Sequence, residues 1–278
     1  MSWINDMFHT EKPIIGLLHL KALPGDPLFY KDGNTMEDVI RSARQDLEAL
    51  QEGGVDGVLL TNEFSLPYQK KVSSVSLAAM ARVFGAISKN IKVPYGLEAI
   101  YDPDATIELC AATDAKFTRC VFTGAWVGDL GLIDRDIGRT LRLKSALRLD
   151  DLRLTYFING EGEVYLNDRN LNDIAKTMIF NCMPDCLVVA GGMAGDGPGT
   201  SRLAGIKQSA GNVPVFCGTG CNAENVESIL SVADGAYVGT TFKKNGEFSG
   251  RIDVNRVAEF MGKVREIRAK GKKWEKRI

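Results

Sequence analysis

The stretch "VPVFCGTGCNAENV", residues 213–226, reads as an apolar strand that stops at Gly218 and Gly220 and restarts with helical character. "DGAYVGTTFKK", from Asp234, repeats the pattern and breaks at Gly239. Aliphatic and aromatic runs favour strands, and glycine permits the tight turns that end them. A strand that hands over to a helix and is followed by another strand is the unit of a parallel sheet.

Six more apolar runs lie upstream: 13–20 (PIIGLLHL), 57–61 (GVLLT), 93–99 (VPYGLEA), 117–122 (FTRCVF), 153–159 (RLTYFIN) and 186–192 (CLVVAGG). Segments of helical period separate them. The clearest are 35–54 (TMEDVIRSARQDLEALQEGG), 73–90, 102–115, which opens on an Asp-Pro start signal, and 253–270. Eight strand–helix units in 278 residues predict a single α/β domain over 1–278. The expected architecture is a closed (β/α)8 TIM barrel with a short N-terminal extension over 1–12, in preference to an open doubly wound sheet.

Charge and composition narrow the function. Net charge is −1, with 45% hydrophobic and 25% charged residues, which fits a globular protein with a large core. No basic stripe points to nucleic acid, and no run reaches the ~18 apolar residues of a membrane span. The N-terminus lacks the apolar core of a secretory signal, so a cytoplasmic protein is expected. Six cysteines include two C-x3-C pairs, 182/186 and 217/221. That spacing is not a zinc knuckle, and small buried thiols in a reducing compartment are expected. The basic tail "RAKGKKWEKRI" reads as a solvated helix end, with Trp274 as a candidate contact to a neighbouring subunit of a homo-oligomer.

Barrels of this kind place their ligands at the C-terminal ends of the strands. Strands one to five end in polar groups: His19, then Asn62 and Glu63, Glu98, Thr123, and Asn159 with Glu161. Strands six to eight end in glycine: Gly191 and Gly192, Gly218-Thr219-Gly220, and Gly239 followed by Thr240 and Thr241. Bare main-chain amides at a turn accept an anion, and barrels commonly use the last two loops for phosphate. Gly192, Gly218, Thr219, Gly220, Gly239 and Thr240 are therefore the candidate phosphate seat, although glycine also serves simply to make tight turns. His19, Glu63, Glu98 and Asn159 are the candidate catalytic residues, the first three for proton transfer and Asn159 to orient a hydroxyl. Glu63 and Glu98 also suit a divalent cation, and a salt bridge from Glu98 to Arg119 is the plainer alternative.

Several chemistries find no support. No strand carries a lysine in its body, and Lys21, Lys243 and Lys244 read as loop residues, which argues against a Schiff base. G-x-S-x-G and H-E-x-x-H are absent. "GGMAGDGPG" (191–199) has the wrong spacing for a dinucleotide fingerprint, so no cofactor is expected. "GAWVGDLGLID" (124–134), hinged by glycines, is a candidate lid, a packed surface loop or part of a dimer contact.

"PIIGLLHLKALPGDP", "EGGVDGVLLTNEF", "FTRCVFTGAWVGDLGLI" and "DGAYVGTTFKKNGEFSGRIDVNRVAEFM" resemble the BtpA/SgcQ family over nearly the whole chain. The H-L-x-A-L-P-G-D-P segment and the K-x-x-G that follows the last strand are the most specific pieces. The resemblance implies a ribulose-phosphate-binding-type barrel. One branch of that family is linked to accumulation of photosystem I proteins and another to sugar-uptake operons. Three strand ends depart from the family's usual patterns: "TNEFSLPY" where E-N-F-G-D-x-P-F is common, "GLEAIYDP" for G-x-N-V-L-R-N-D, and "YFINGEG" for D-V-x-x-K-H. A branch with its own substrate chemistry is implied.

Besides a metal-dependent barrel, which would need a further ligand such as His19 beside Glu63 and Glu98, two functions remain. One is a cytosolic enzyme that acts on a small phosphorylated sugar or nucleoside-like metabolite as an isomerase, lyase or glycosidic-bond hydrolase. The other is a non-catalytic assembly or regulatory factor that binds a phosphometabolite.

Overall fold

The computed structural model describes residues 2–31, 33–192, 195 and 197–275, with side chains described as far as 270. The strands are β1 Ile14–His19, β2 Gly57–Thr61, β3 Tyr95–Glu98, β4 Phe117–Cys120, β5 Gly124–Gly128, β6 Gly131–Arg135, β7 Arg153–Phe157, β8 Glu163–Tyr165, β9 Cys186–Val189, β10 Val215–Cys217 and β11 Gly235–Val238. The helices are α1 Trp3–Phe8, α2 Pro27–Lys31, α3 Met36–Gly53, α4 Ser74–Ile87, α5 Pro103–Thr113, α6 Ile137–Ala146, α7 Leu171–Cys182, α8 Thr200–Ala210, α9 Val226–Leu230 and α10 Val254–Glu275.

Among the described residues, eight parallel strands close a barrel in the order β1-β11-β10-β9-β7-β4-β3-β2. Strands enclosed on both faces read as continuous apolar runs, and β1, for example, is buried along its whole length. Alternation of side chains splits each strand between two layers. Ile15, Leu17, Leu59, Phe117, Val188, Phe216 and Tyr237 fill the barrel interior. Ile14, Leu18, Val58, Leu60, Leu97 and Leu187 face the helices.

The helices begin where local chemistry starts them. Thr35 and Asp38 form a reciprocal capping box at α3, and Asp102 with Pro103 opens α5. The N-terminal extension is part of the barrel and not an appendage. Ile4 and Phe8 of α1 join the interior cluster, and the Phe8 ring meets that of Phe117 edge-on at 5.5 Å. α1 thus plugs the N-terminal end of the barrel, and His9 only caps it, at φ 53°.

The alternation of strand and helix is interrupted after β4. The glycine-hinged segment is a hairpin, β5 with β6, and β8 joins it as the third strand of a second, antiparallel sheet. Trp126 is 1% exposed and stacks on Tyr165 at 3.5 Å between ring centroids. The segment is therefore packed structure, because its alternate residues bury one face. Val127, Leu132 and Val164 pair directly across the other face and are 42–66% exposed. The side chain of Trp274 lies outside the described residues.

Candidate functional site at the barrel mouth

One step of alternation beyond the apolar interior brings a polar layer to the C-terminal end of the barrel. After Leu17 comes His19 and after Phe117 comes Arg119; Glu98 ends β3 in the same layer. The positions that follow Phe216 and Tyr237 are Gly218 and Gly239. The inward position is thus occupied by a side chain on one side of the mouth and left bare on the other.

Arg119 is the centre of this layer. Its Nε and Nη2 each lie 3.0 Å from Glu98 Oε2, and both residues are almost fully buried. Nη1 donates to the Gly218 carbonyl at 3.4 Å. The guanidinium sits 4.9 Å from the ring centres of Phe157 and Tyr237, which satisfies its faces as well as its edge. Tyr237 is itself held: Thr155 Oγ1 donates to the Thr118 carbonyl, so the Tyr237 hydroxyl, 2.9 Å away, donates to Thr155. Burial opposes ionisation of Glu98 and pushes its pKa up to about 7, against the pull of Arg119. Glu98 does face inward, but it is bound to Arg119 before it can bind anything else.

His19 is 8% exposed, and neither ring nitrogen is hydrogen-bonded. Nε2 lies 3.5 Å from Glu63 Oε2, close enough for electrostatic contact but not for a hydrogen bond. Burial drives the imidazole pKa down to about 4; Glu63 opposes this, and Lys243 and Arg119 add to it. His19 is therefore neutral at physiological pH, with one nitrogen available to accept a proton and one to donate. Glu63 is anchored by Thr61, whose hydroxyl lies 3.3 Å from Oε2, and by Tyr68, whose hydroxyl donates to its carbonyl at 3.0 Å.

This has a consequence for stability. Between pH 6.5 and 4 the unfolded chain holds a proton that folded His19 does not, so stability is lost as pH falls through that window, by up to about 3 kcal/mol. Glu98 acts in the opposite sense between 4.5 and 7, because its folded form holds the extra proton. The difference between wild type and His19→Asn in urea unfolding isolates the histidine. That difference is expected to shift by about 3 kcal/mol between pH 7 and pH 4. A pH-independent difference would show that the imidazole keeps its ordinary basicity.

The two glycine turns meet. Thr241 donates its hydroxyl to the Cys221 carbonyl at 2.8 Å, and Thr219 Oγ1 accepts the Gly191 amide at 2.7 Å. Gly218, Thr219, Gly220, Gly239, Thr240 and His19 line one chamber of about 50 Å3. A turn of 3-10 helix starts at Thr240, and the leading N–H groups of such a turn have no acceptor within it. The glycines also answer to packing. A Cβ on Gly239 would stand 3.0–3.1 Å from the His19 ring, and one on Gly218 would stand 2.7 Å from Val188 Cγ1. A second chamber of about 80 Å3 adjoins through the shared residues Glu63, Arg119 and Glu161, and is walled by Glu98, Tyr68 and Tyr101. Tyr101 holds φ 63°, a strained conformation for a non-glycine residue.

Two expected site residues stand apart. Asn159 spends its amide on the main chain: Nδ2 donates to the Ala190 carbonyl at 2.9 Å and Oδ1 accepts the Ala190 amide at 3.0 Å. It splints the ends of β7 and β9 and does not line either chamber. Gly192 is exposed and lies outside both chambers. The six cysteines are all unpaired, and among the described residues no three His, Cys, Asp or Glu side chains gather as metal ligands. A larger concavity, about 700 Å3, lies elsewhere, on the outer flank between α4, α5 and α6. Its lining includes Arg135, whose Nε is also buried without a partner, but it contains no histidine and neither glycine turn.

The model of the BtpA family matches residues 10–266. The chain belongs to the BtpA family. It is 43% identical to the putative sgc region protein SgcQ of Escherichia coli strain K12, over 96% of this chain and all of that one. It is 28% identical to the photosystem I biogenesis protein BtpA of Synechocystis, over 93% of this chain and 90% of that one. Among solved structures it resembles (S)-3-O-geranylgeranylglyceryl phosphate synthase of Thermoplasma acidophilum, crystallised with sn-glycerol-1-phosphate. The TM-score is 0.59, with 14% identity over 94% of this chain and 98% of that one, a likeness of fold.

In this BtpA-family barrel the residues that sequence reasoning undervalued are Arg119, Tyr68, Tyr101 and Lys243. An arginine inside the apolar run "FTRCVF" was the available signal for Arg119, since a buried strand does not carry a charge without a partner. Lys243 is a correction. It follows the last strand, as expected, but is 2% exposed. No sequence signal distinguishes it from its neighbour Lys244.

Proposed function

We propose that this BtpA-family barrel is a cytoplasmic enzyme that binds a small phosphorylated sugar or nucleoside-like metabolite and transforms it by proton transfer. The phosphate rests on the amides of Thr219, Gly220, Gly239 and Thr240, while the Gly218 amide is held by the Val189 carbonyl at 2.8 Å and Gly218 contributes only its bare Cα. The carbon skeleton extends over Arg119 toward Glu161, Tyr68 and Tyr101. His19 and Glu63 exchange protons with it, as isomerisation, lyase cleavage and glycosidic hydrolysis all require. The observation that carries this reading is the His19 ring, buried with both nitrogens unpaired beside Glu63, in the chamber lined by the two glycine turns. A buried polar group without a partner is costly to keep, and a ligand supplies the partner. The phosphate is a remote handle that positions the reacting centre.

The test is a thermal-shift panel of inorganic phosphate and sugar phosphates. A ligand present at about 100 times its dissociation constant stabilises by roughly 2.7 kcal/mol, a Tm rise of several degrees. Thr240→Glu places a carboxylate at the seat and is expected to abolish the rise while leaving the unliganded Tm near wild type. A panel without any shift, or a shift that survives Thr240→Glu, removes the phosphate seat.

A second reading rests on the exposed aliphatic row Val127, Leu132 and Val164. Such a row suits a protein contact, either in a homo-oligomer or in an assembly factor that binds the same metabolite without turning it over.

A further inference from the structure

Behind His19 lies a cavity of about 510 Å3, lined by Lys243, Phe64, Phe248, Lys21 and Asn34, among others. His19 and Phe248 wall both this cavity and the phosphate chamber. Lys243 Nζ lies 4.9 Å from the Phe64 ring centre and 4.7 Å from that of Phe248, and donates to the Phe248 carbonyl. Among the described residues no carboxylate comes within ion-pair distance of it. A lysine this deeply buried without a carboxylate is rare.

Packing does not account for it. The loop around Lys243 is tied by main-chain bonds: Lys243 N to Thr240 O, Lys244 N to Arg251 O, and a bridge between Lys243 and Ile252. None of these needs the ammonium. A methionine between the two phenylalanines would pack as well without the desolvation cost. The two rings and one carbonyl compensate the charge only in part. Burial lowers the amine's pKa to about 8, while Glu63 and Asp46 pull the other way. A fraction of Lys243 is therefore free amine at neutral pH, next to an empty volume that adjoins the mouth.

We infer that Lys243 is an imine-forming residue, and that the cavity behind His19 admits a small aldehyde or ketone, such as an open-chain sugar, to its Nζ. The free amine bonds through its lone pair to the carbonyl carbon, and a proton passes from nitrogen to the carbonyl oxygen to give a carbinolamine. Loss of that oxygen as water leaves the C=N bond. One water is released for each imine and nothing is oxidised or reduced. The imine does not depend on the phosphate seat, but a phosphorylated carbonyl compound would use both.

The experiment treats the wild-type full chain at pH 8 with glyceraldehyde or glyceraldehyde 3-phosphate, each with sodium cyanoborohydride to fix imines as secondary amines. Peptide mass spectrometry then gives the labelling rate of each lysine. Lys243 is expected to label on the order of tenfold faster than the exposed Lys176 and Lys270, because more of it is free amine. Its rate should level off above pH 8 while theirs keeps rising. Lys243 labelling no faster than these surface lysines, or only after denaturation, overturns the inference. Equal rates with the two aldehydes would keep the imine and count against the phosphate seat. A faster reaction with the phosphorylated aldehyde supports both.

Discussion

Arg119→Leu is expected to destabilise the protein by about 3–5 kcal/mol. The substitution leaves Glu98 almost fully buried with its cationic partner among the described residues removed. The group cannot reach water, so it must take up a proton or distort the strand ends around it. The arginine also fills the space between Phe157 and Tyr237 and bonds to Gly218, so packing is lost along with charge. The double variant Arg119→Leu/Glu98→Leu separates these effects. Replacing both members of a buried ion pair with apolar groups is often close to neutral, so it should recover most of the lost stability. Urea unfolding followed by circular dichroism measures both. A single variant within ~1 kcal/mol of wild type would mean that Glu98 is already neutral and owes nothing to Arg119. The double variant would still have lost any ligand that depends on the guanidinium.

Glu63→Gln is expected to lower kcat by about 10²–10⁴, the usual weight of a positioned acid or base, with KM much less affected. The amide keeps the shape of the carboxylate and its contact with Thr61, and the Tyr68 hydroxyl keeps the main-chain carbonyl of residue 63. Fold and phosphate-induced Tm shift should therefore survive. That split, binding kept and turnover lost, is the signature of an acid–base role. If a sugar phosphate shifts the Tm but neither wild type nor Glu63→Gln transforms it, the metabolite-sensing reading is favoured. If a substrate is found and Glu63→Gln turns it over normally, His19 works without Glu63.

Much of this was legible in the sequence. The runs from "PIIGLLHL" to "GAYVGTTF" have the length of barrel strands, the Asp-Pro start marked α5, and helical period marked α3. Strand ends could be read one by one, so His19, Glu63, Glu98 and the glycine turns were found by position alone. Glu98 illustrates the limit. The sequence offered both a carboxylate facing the mouth and a salt bridge to Arg119, and the outcome depends on how β3 and β4 are set side by side. Asn159 shows it again, since the Ala190 main chain that holds its amide is 31 residues away.

The alternation of apolar runs and helical segments by itself determined a parallel α/β fold, because each unit must bury its strand on both faces and its helix on one, and the count of eight units favoured a closed (β/α)8 barrel over an open sheet. The glycine-ended last strands likewise marked where the inward position at the mouth carries no side chain. Tertiary structure decided which side chains meet. It pairs Glu163–Tyr165 with the 124–128 strand and makes a sheet of a segment that reads as a loop. It seats α1 inside the barrel's base, and it closes two phenylalanine rings over Lys243. Burial, and with it the state of an amine or imidazole, is set by neighbours distant in the chain, so the same lysine reads as solvated in one dimension and desolvated in three.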